Sequence, residues 1–418
     1  MPRGTAQAAT VTLELEGDDA RGFLLLARAG SDGKEIARAP LRATALNVHS
    51  LMPDLLEQVK RLAAAVDPDA EWSTTAPALD SLRTVTTFLA RQLFEGPQGA
   101  FYDFAKACAG ALPPAQRSAD EPLLVELRSR PEHFLPIELL PLFEGKWPDR
   151  IDGLPEVEAA AQTFLGFSAV IRRVPLAGSI PQDTRLKGGP LPVAFVRNDR
   201  LPGAAREAEA LTGYGQAILR LDEPLATATV ADPNELAKLL SRRIYYARAA
   251  EQATVAYDQV LHFACHCDTD PGTNTQWLLR VGNDIKVGMV SLTAELTFRE
   301  LDPRDDPRGF RRPPLPLVFM NACDTSTINP ASAASFVQLF LDNGNRGFIG
   351  TETKIPDQVA ARYSHLFYDY LLDGETVGYA MHKAKWDLLR KFKNPLGILY
   401  TLYGNPDLAI GTSEGGHA

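Results

Sequence analysis

The chain has 418 residues, 45% of them hydrophobic, and a formal net charge of −9. That length and apolar content exclude a disordered protein and allow two or three domains of ordinary size. Lys and Arg are scattered singly, so no basic stripe is present to neutralise a phosphate backbone, which argues against nucleic acid as a direct partner.

Four cysteines are too few for a disulfide scaffold and fit a reducing cytoplasm. The opening residues Met1 to Thr10 lack an apolar signal core, and no stretch approaches the ~20 uncharged apolar residues of a membrane span. The expectation is a cytoplasmic protein with no membrane partner.

In chain order, alternation through Val11, Leu13 and Leu15, resuming at Phe23 to Ala27 after Gly17-Asp18-Asp19, predicts a β-hairpin or small ribbon. Leu51, Leu55, Val59, Leu62 and Ala63 recur at helical spacing and predict a helix from Leu51 to Val66. A second helix is expected from about Leu79 to Phe94, with Asp67 to Pro77 as the joining loop and Pro113 to Glu121 as a connector.

Beyond the connector, strands and helices alternate, the pattern of a mostly parallel sheet covered on both faces. Core strands are predicted at Leu123 to Leu127, Ala169 to Val174, Pro192 to Arg197, Ala217 to Leu221, Gln259 to Ala264, Leu315 to Met320 and Gly347 to Thr351. Helices are predicted at about Gly203 to Thr212, Pro233 to Gln252, Ser332 to Asn343, Asp357 to Leu372 and Thr376 to Arg390. Nearly continuous apolar runs, such as Val260 to Ala264 and Leu317 to Met320, mark strands buried on both faces.

Two of these strands hand over abruptly to reactive residues at their C-terminal ends, where ligands bind in open α/β sheets. One runs into Cys265-His266-Cys267-Asp268-Thr269-Asp270, the other into Asn321-Ala322-Cys323-Asp324. If the strands are neighbours, an imidazole and a thiol meet. A thiol of reference pKa ~8.5 needs a base or cation beside it to attack at neutral pH, and His266 supplies either.

Competing readings stand beside this one. Most unpaired cysteines are small core residues, which is the plain alternative for Cys323. His262, inside an apolar run, reads as a core histidine and is left out of the chemistry. Zinc is a rival for His262, Cys265, His266 and Cys267, but one residue separates the two cysteines and no second ligand cluster appears. Gly282-Asn283-Asp284 reads as a hairpin turn, Gly309 as part of an Arg/Pro-rich loop and Gly188-Gly189-Pro190 as a linker. With no Walker or dinucleotide fingerprint, no metal and no cofactor are expected.

The same residues carry a resemblance. Phe134-Leu135-Pro136-Ile137-Glu138-Leu139-Leu140, Leu201-Pro202-Gly203-Ala204 with Glu207-Ala208, Leu261 to His266, Asn321-Ala322-Cys323, Gly347 to Thr351 with Pro356-Asp357, and Tyr400 to Leu408 occur in order. Together they resemble the motifs of CHAT-domain proteins, relatives of caspases, separases and other clan CD cysteine peptidases, over about Pro122 to Ile410. The separation of His266 and Cys323, 57 residues, is close to the ~50 of caspases. Ile137 stands where the family usually has tryptophan, and Cys267 where it usually has glycine.

The resemblance implies a caspase-like three-layer α/β/α sandwich with a mostly parallel central sheet, plus a small N-terminal α+β region. Residues 1–116 would be an N-terminal ribbon and helices of regulatory role, and 117–412 a peptidase domain, with 117–255 its pseudo-catalytic and 256–412 its catalytic half. It further implies a cysteine endopeptidase with Cys323 as nucleophile and His266 as base. The backbone N–H groups of Cys267 and Cys323 would form the oxyanion hole. If that loop needs a positive φ, the Cys267 side chain costs energy and basal activity falls.

Asp268, Asp270, Glu352 and Asp357 are candidates to line a pocket for a basic side chain of the substrate, although Asp357 also suits a helix N-terminus on its own account. The partners expected are a protein substrate and an activating protein or ligand. The alternative of a different class is a caspase-like interaction scaffold whose site has decayed at Cys267.

Overall fold

A computed structural model of the protein describes residues 11–18, 22–30, 32–42, 48–96, 100–110, 122–129, 135–141, 147–175, 185–187, 189–220, 245–249, 252–256, 259–269, 277–282, 284–288, 290–294, 315–322, 336–337, 339–351, 353 and 355–411. The expected connector Pro113 to Glu121, the loop at Gly309 and the start of the helix expected from Ser332 lie outside them.

The chain opens with an antiparallel ribbon, β1 (Val11–Asp18), β2 (Gly22–Ala29) and β3 (Glu35–Leu41). Its first turn depends on glycine: Gly17 has φ 111°, and an added Cβ would fall 2.0 Å from the Gly22 carbonyl oxygen. Helix α1 (Val48–Ala64) and helix α2 (Ala76–Leu93) are those expected, each beginning three residues earlier. The loop expected between them is shorter than anticipated, because a 3-10 turn at Trp72–Thr75 runs straight into α2. Helix α3 (Ala100–Gly110) was not legible, its short apolar pattern following a Gly/Pro-rich turn.

The main body then runs β4 (Leu123–Ser129), α4 (Leu154–Gln162), α5 (Leu165–Ser168), β5 (Ala169–Pro175), β6 (Arg185–Lys187), β7 (Leu191–Arg197), α6 (Pro202–Gly213) and β8 (Ile218–Arg220). A hairpin of β9 (Tyr245–Ala249) and β10 (Gln252–Ala256) comes next. Here the helix expected over Pro233 to Gln252 is corrected at Tyr245–Ala249 and Gln252, while its stretch from 233 to 244 lies outside the described residues. Tyr245, Tyr246, Thr254 and Val255 favour strand over helix, and the two runs pair with each other.

The closing elements are β11 (Val260–Thr269), β12 (Trp277–Val281), β13 (Ile285–Gly288), β14 (Leu315–Ala322), β15 (Asn345–Thr351), α7 (Asp357–Leu372), α8 (Val377–Phe392), β16 (Tyr400–Gly404) and β17 (Ala409–Gly411). Helix α7 has the bounds expected. Strands β12 and β13 flank the hairpin turn expected at Gly282-Asn283-Asp284, though neither they nor β16 were among the expected core strands.

One sheet of 13 strands organises the molecule, in the order β13-β12-β11-β14-β15-β16-β5-β4-β1-β2-β3, with β7 also on β11 and β8 on β7. Among the described residues its pairings from β7 through β15 and from β5 through β1 are parallel, while the ribbon, the β12–β13 hairpin and the β15–β16 join are antiparallel. The N-terminal ribbon therefore extends the same sheet, Val11 lying opposite Val125 of β4.

Strand alternation sorts side chains onto two faces. Val193, Phe195, Val260, Ala264, Leu317, Phe319 and Ile349 share one apolar core with α6, α7 and α8. Leu261, Phe263, Val318, Met320 and Phe348 share the other with Phe336, Val337 and Phe340, which belong to the helical residues 336–337 and 339–342. The result is three layers, helices on both faces of a mostly parallel sheet. No described helix is long and apolar enough to cross a membrane.

Helix α8 ties the layers to the N-terminal helices. It is capped by Thr376 Oγ1, which accepts from the Tyr379 N–H at 3.4 Å, and ends at Lys393 in the left-handed region, φ 53°. That turn brings the Lys393 ammonium onto the carbonyls of Pro68 and Ala70, and Asn394 Nδ2 donates to the Ala63 carbonyl at 3.2 Å.

Candidate active site

The strand carrying His266 runs five residues further than its apolar run suggested, and the reason is a change of partner. From Val260 to Ala264 β11 lies between parallel β7 and β14; from His266 to Thr269 it pairs with antiparallel β12, His266 opposite Arg280 and Cys267 opposite Leu279. Buried Asn198, just past the end of β7, manages the handover. Its N–H donates to the Ala264 carbonyl at 2.9 Å and its Nδ2 to the Arg280 carbonyl at 3.2 Å. His266, partly exposed, sits at this switch of partner.

On the other side the register of β11 and β14 is Ala264 opposite Asn321 and Cys265 opposite Ala322. The next residue of β11 is His266, and the next residue in the sequence after Ala322 is Cys323. Cys323, Asp270 and Glu352 lie outside the described residues, as does the side chain of Asp268.

The four residues considered as zinc ligands divide between faces. Cys265 and Cys267 are buried in the apolar core shared with Leu279 and Val281. Burial, reinforced by the Glu207 carboxylate, pushes the Cys265 thiol well above the ordinary range. His262 is on the opposite face, buried among Phe195, Phe319 and Tyr368 with ring centroids 4.7 to 5.6 Å away. Among the described residues no three His, Cys, Asp or Glu side chains gather as a metal site.

Cys267 is extended strand, and the non-glycine residues with positive φ among those described are Asp284 and Lys393. Its side chain fills an apolar layer without forcing the backbone into the left-handed region. The strain feared from a side chain at this position is therefore absent.

Asp357, the first residue of α7, turns its carboxylate to the start of α6, where Oδ2 accepts the Gly203 N–H at 2.5 Å. Contact is so close that a Cβ on Gly203 would lie 2.3 Å from Asp357 Oδ1. This gives the Leu201-Pro202-Gly203-Ala204 and Pro356-Asp357 segments a common physical cause: proline starts α6 without needing its N–H, glycine admits the carboxylate, and the aspartate neutralises the helix end. It is also the helix-terminal role the sequence allowed for Asp357.

Beneath the strand ends lies a polar chain that sequence reasoning missed. Glu207 of α6, 1% exposed, puts Oε2 2.8 Å from His262 Nε2 and accepts from Asn321 Nδ2 at 2.9 Å. Asn321 Nδ2 also donates to the Ala360 carbonyl at 3.0 Å, and Asn321 Oδ1 accepts the Tyr400 hydroxyl at 2.6 Å. The Tyr368 hydroxyl is 3.1 Å from His262 Nδ1. The only trace of this in the sequence was the Glu-Ala and Asn-Ala-Cys spacing, which gives no sign that the two side chains touch.

Helices on both faces of a mostly parallel sheet define an α/β protein, the class in which ligands bind outside the carboxyl ends of the strands. Residues 161–396, more than half of the chain, match the CHAT domain. A probable protease of Vitiosangium sp. is 30% identical over 187 residues, covering 42% of this chain and 23% of the relative, so the chain spans about a quarter of that protein. In backbone the chain is similar to the Arg-specific cysteine proteinase gingipain R, at 12% identity and a TM-score of 0.40 over 75% of this chain and 68% of that one. It is also similar to separase in the Saccharomyces cerevisiae separase–securin complex, at 10% identity and 0.43 over 94% and 30%. The chain belongs to the CHAT domain family, and its three-layer sheet is the caspase-like architecture that membership implies.

Proposed function

We propose that the chain is a cysteine endopeptidase that cleaves a protein substrate through an acyl-enzyme, with Cys323 as nucleophile and His266 as base. The observation that supports this reading most is the register: Cys265 lies opposite Ala322 on adjacent parallel strands, and in the sequence His266 follows the first and Cys323 the second. In the reaction, Cys323 sulfur attacks a peptide carbonyl and His266 gives a proton to the leaving amine. Water, activated by His266, then releases the acyl group and regenerates the thiol. The N–H groups of Cys267 and Cys323 are the donors assigned to the oxyanion.

Asp268, Asp270 and Glu352 favour Arg or Lys before the scissile bond in this reading, Asp357 being committed to the start of α6, and an activating protein or ligand gates the site. A fluorogenic peptide panel tests both parts. Turnover after Arg or Lys, lost in Cys323→Ala and in His266→Ala, is expected; equal turnover by Cys323→Ala would reject the nucleophile, and cleavage confined to apolar or acidic residues would reject the acidic pocket.

A further inference from the structure

The face of the sheet that leads to His266 is not purely apolar. Four residues before His266 stands His262, and two before Cys323 stands Asn321, both 0% exposed and both touching Glu207 Oε2. Asn321 is fixed from three directions, by α6 through Glu207, by α7 through the Ala360 carbonyl and by β16 through Tyr400. Both of its amide hydrogens and one oxygen lone pair are engaged, so its orientation is over-determined. The ring of Tyr400 is itself locked, stacked on Tyr363 with centroids 3.5 Å apart and planes 9° apart.

Stability does not require such an arrangement, because well-packed apolar side chains in the same volume would hold the layers together as well or better. A buried polar chain has a property that apolar packing lacks: it fixes direction and register, since any slip leaves a donor or acceptor unpaired away from water. Resting on the cysteine-peptidase reading, we propose that Asn321 is a positioning residue for the nucleophile. Glu207 Oε2, which accepts from Asn321 and lies 2.8 Å from His262 Nε2, links it to β11, so that the ends of β14 and β11 are held in mutual register.

The hydrogen-bond polarity of the chain supplies a test. In the wild type Glu207 accepts from Asn321 and faces the His262 Nε2. Asn321→Asp sets two carboxylates against each other. Adding Glu207→Gln reverses the polarity: the new amide donates to the new carboxylate. The Tyr400 hydroxyl still donates to position 321, while the Ala360 carbonyl loses its donor and faces a carboxylate oxygen instead. The quantities to measure are kinact and KI for labelling by a thiol-directed peptidyl electrophile, together with the melting temperature of each variant.

The expected result is that Asn321→Asp lowers kinact by ~10-fold or more with KI within about twofold. Glu207→Gln/Asn321→Asp recovers most of that loss. Should Asn321→Asp fold poorly, Tyr400→Phe keeps the ring stack and removes only the hydroxyl on Asn321, and it should lower kinact by about threefold or more. Variants that melt earlier but label with wild-type kinact would reduce the chain to a structural role and overturn the proposal. A double variant no better than Asn321→Asp overturns the coupling to Glu207. Failure of the wild type itself to label at Cys323 is a different outcome, which overturns the peptidase reading and this proposal with it.

Discussion

The two halves of the central sheet each bury a charged group, and they differ in the residues to which their strands lead. In the β4–β5 half Arg173, 4% exposed, pairs with Glu138, 1% exposed; it also donates to the Leu135 carbonyl at 3.0 Å and lies over the Tyr403 ring. This pair pins the Leu135-Pro136-Ile137-Glu138 segment to the sheet, and its strands end in Ser129 and Pro175. In the β7–β11–β14 half Glu207, His262 and Asn321 form the buried cluster, and the strands lead to His266 and Cys323. A buried ionic pair alone is thus no sign of chemistry; its position relative to a reactive strand end is what separates the two halves.

The sharpest way to break this comparison is to damage the first half alone. Arg173→Met leaves Glu138 buried without its cation and should cost about 3–5 kcal/mol of stability. Denaturant unfolding measures that loss, while kinact of the folded protein should stay at the wild-type value. A fall in kinact as large as that of Asn321→Asp would erase the distinction.

A smaller effect is expected where α6 meets α7. Gly203→Ala drives a methyl onto Asp357 Oδ1 and should cost about 1–3 kcal/mol. Combining it with Asp357→Ala should cost less than the two single changes together, because they share one contact.

The smallest effect concerns Cys108 of α3, a helix packed on β3, whose thiol burial pushes from the ordinary 9.0 up to about 12. The unfolded thiol ionises first, so its contribution to stability is whole below pH 9.0 and is lost as pH rises toward about 12. Cys108→Ala should flatten that alkaline limb in a pH series of melting temperatures, and an unchanged slope would contradict the assignment.

Much of the second half was legible because its signals are local. Val260 to Ala264 and Leu317 to Met320 are continuous apolar runs that only a strand covered on both faces needs, and each stops at reactive residues. The first half was legible as strands at Leu123 and Ala169, but the Arg173–Glu138 pair joins residues 35 apart in sequence and no pattern announces it. The polar chain is still less local, Asn321 and Glu207 being 114 residues apart. His262 illustrates the limit: an apolar setting correctly marks it as buried, but which carboxylate meets it is decided by how α6 packs on β11. The extension of β11 past Ala264 was hidden for the same reason, since β12 and β13 are short and their pairing is what makes His266 part of a strand. Helix propensity also misled over Tyr245 to Gln252, where cross-strand pairing prevails.

The central claim is that the two strand ends present one thiol and one imidazole to one substrate. Its most direct test is mass-spectrometric mapping of all four cysteines after brief exposure of the native protein to a peptidyl thiol electrophile near neutral pH. The account predicts modification at Cys323 with buried Cys108, Cys265 and Cys267 untouched, and a loss of that modification in His266→Ala. Equal labelling of Cys323 in wild type and His266→Ala would contradict it.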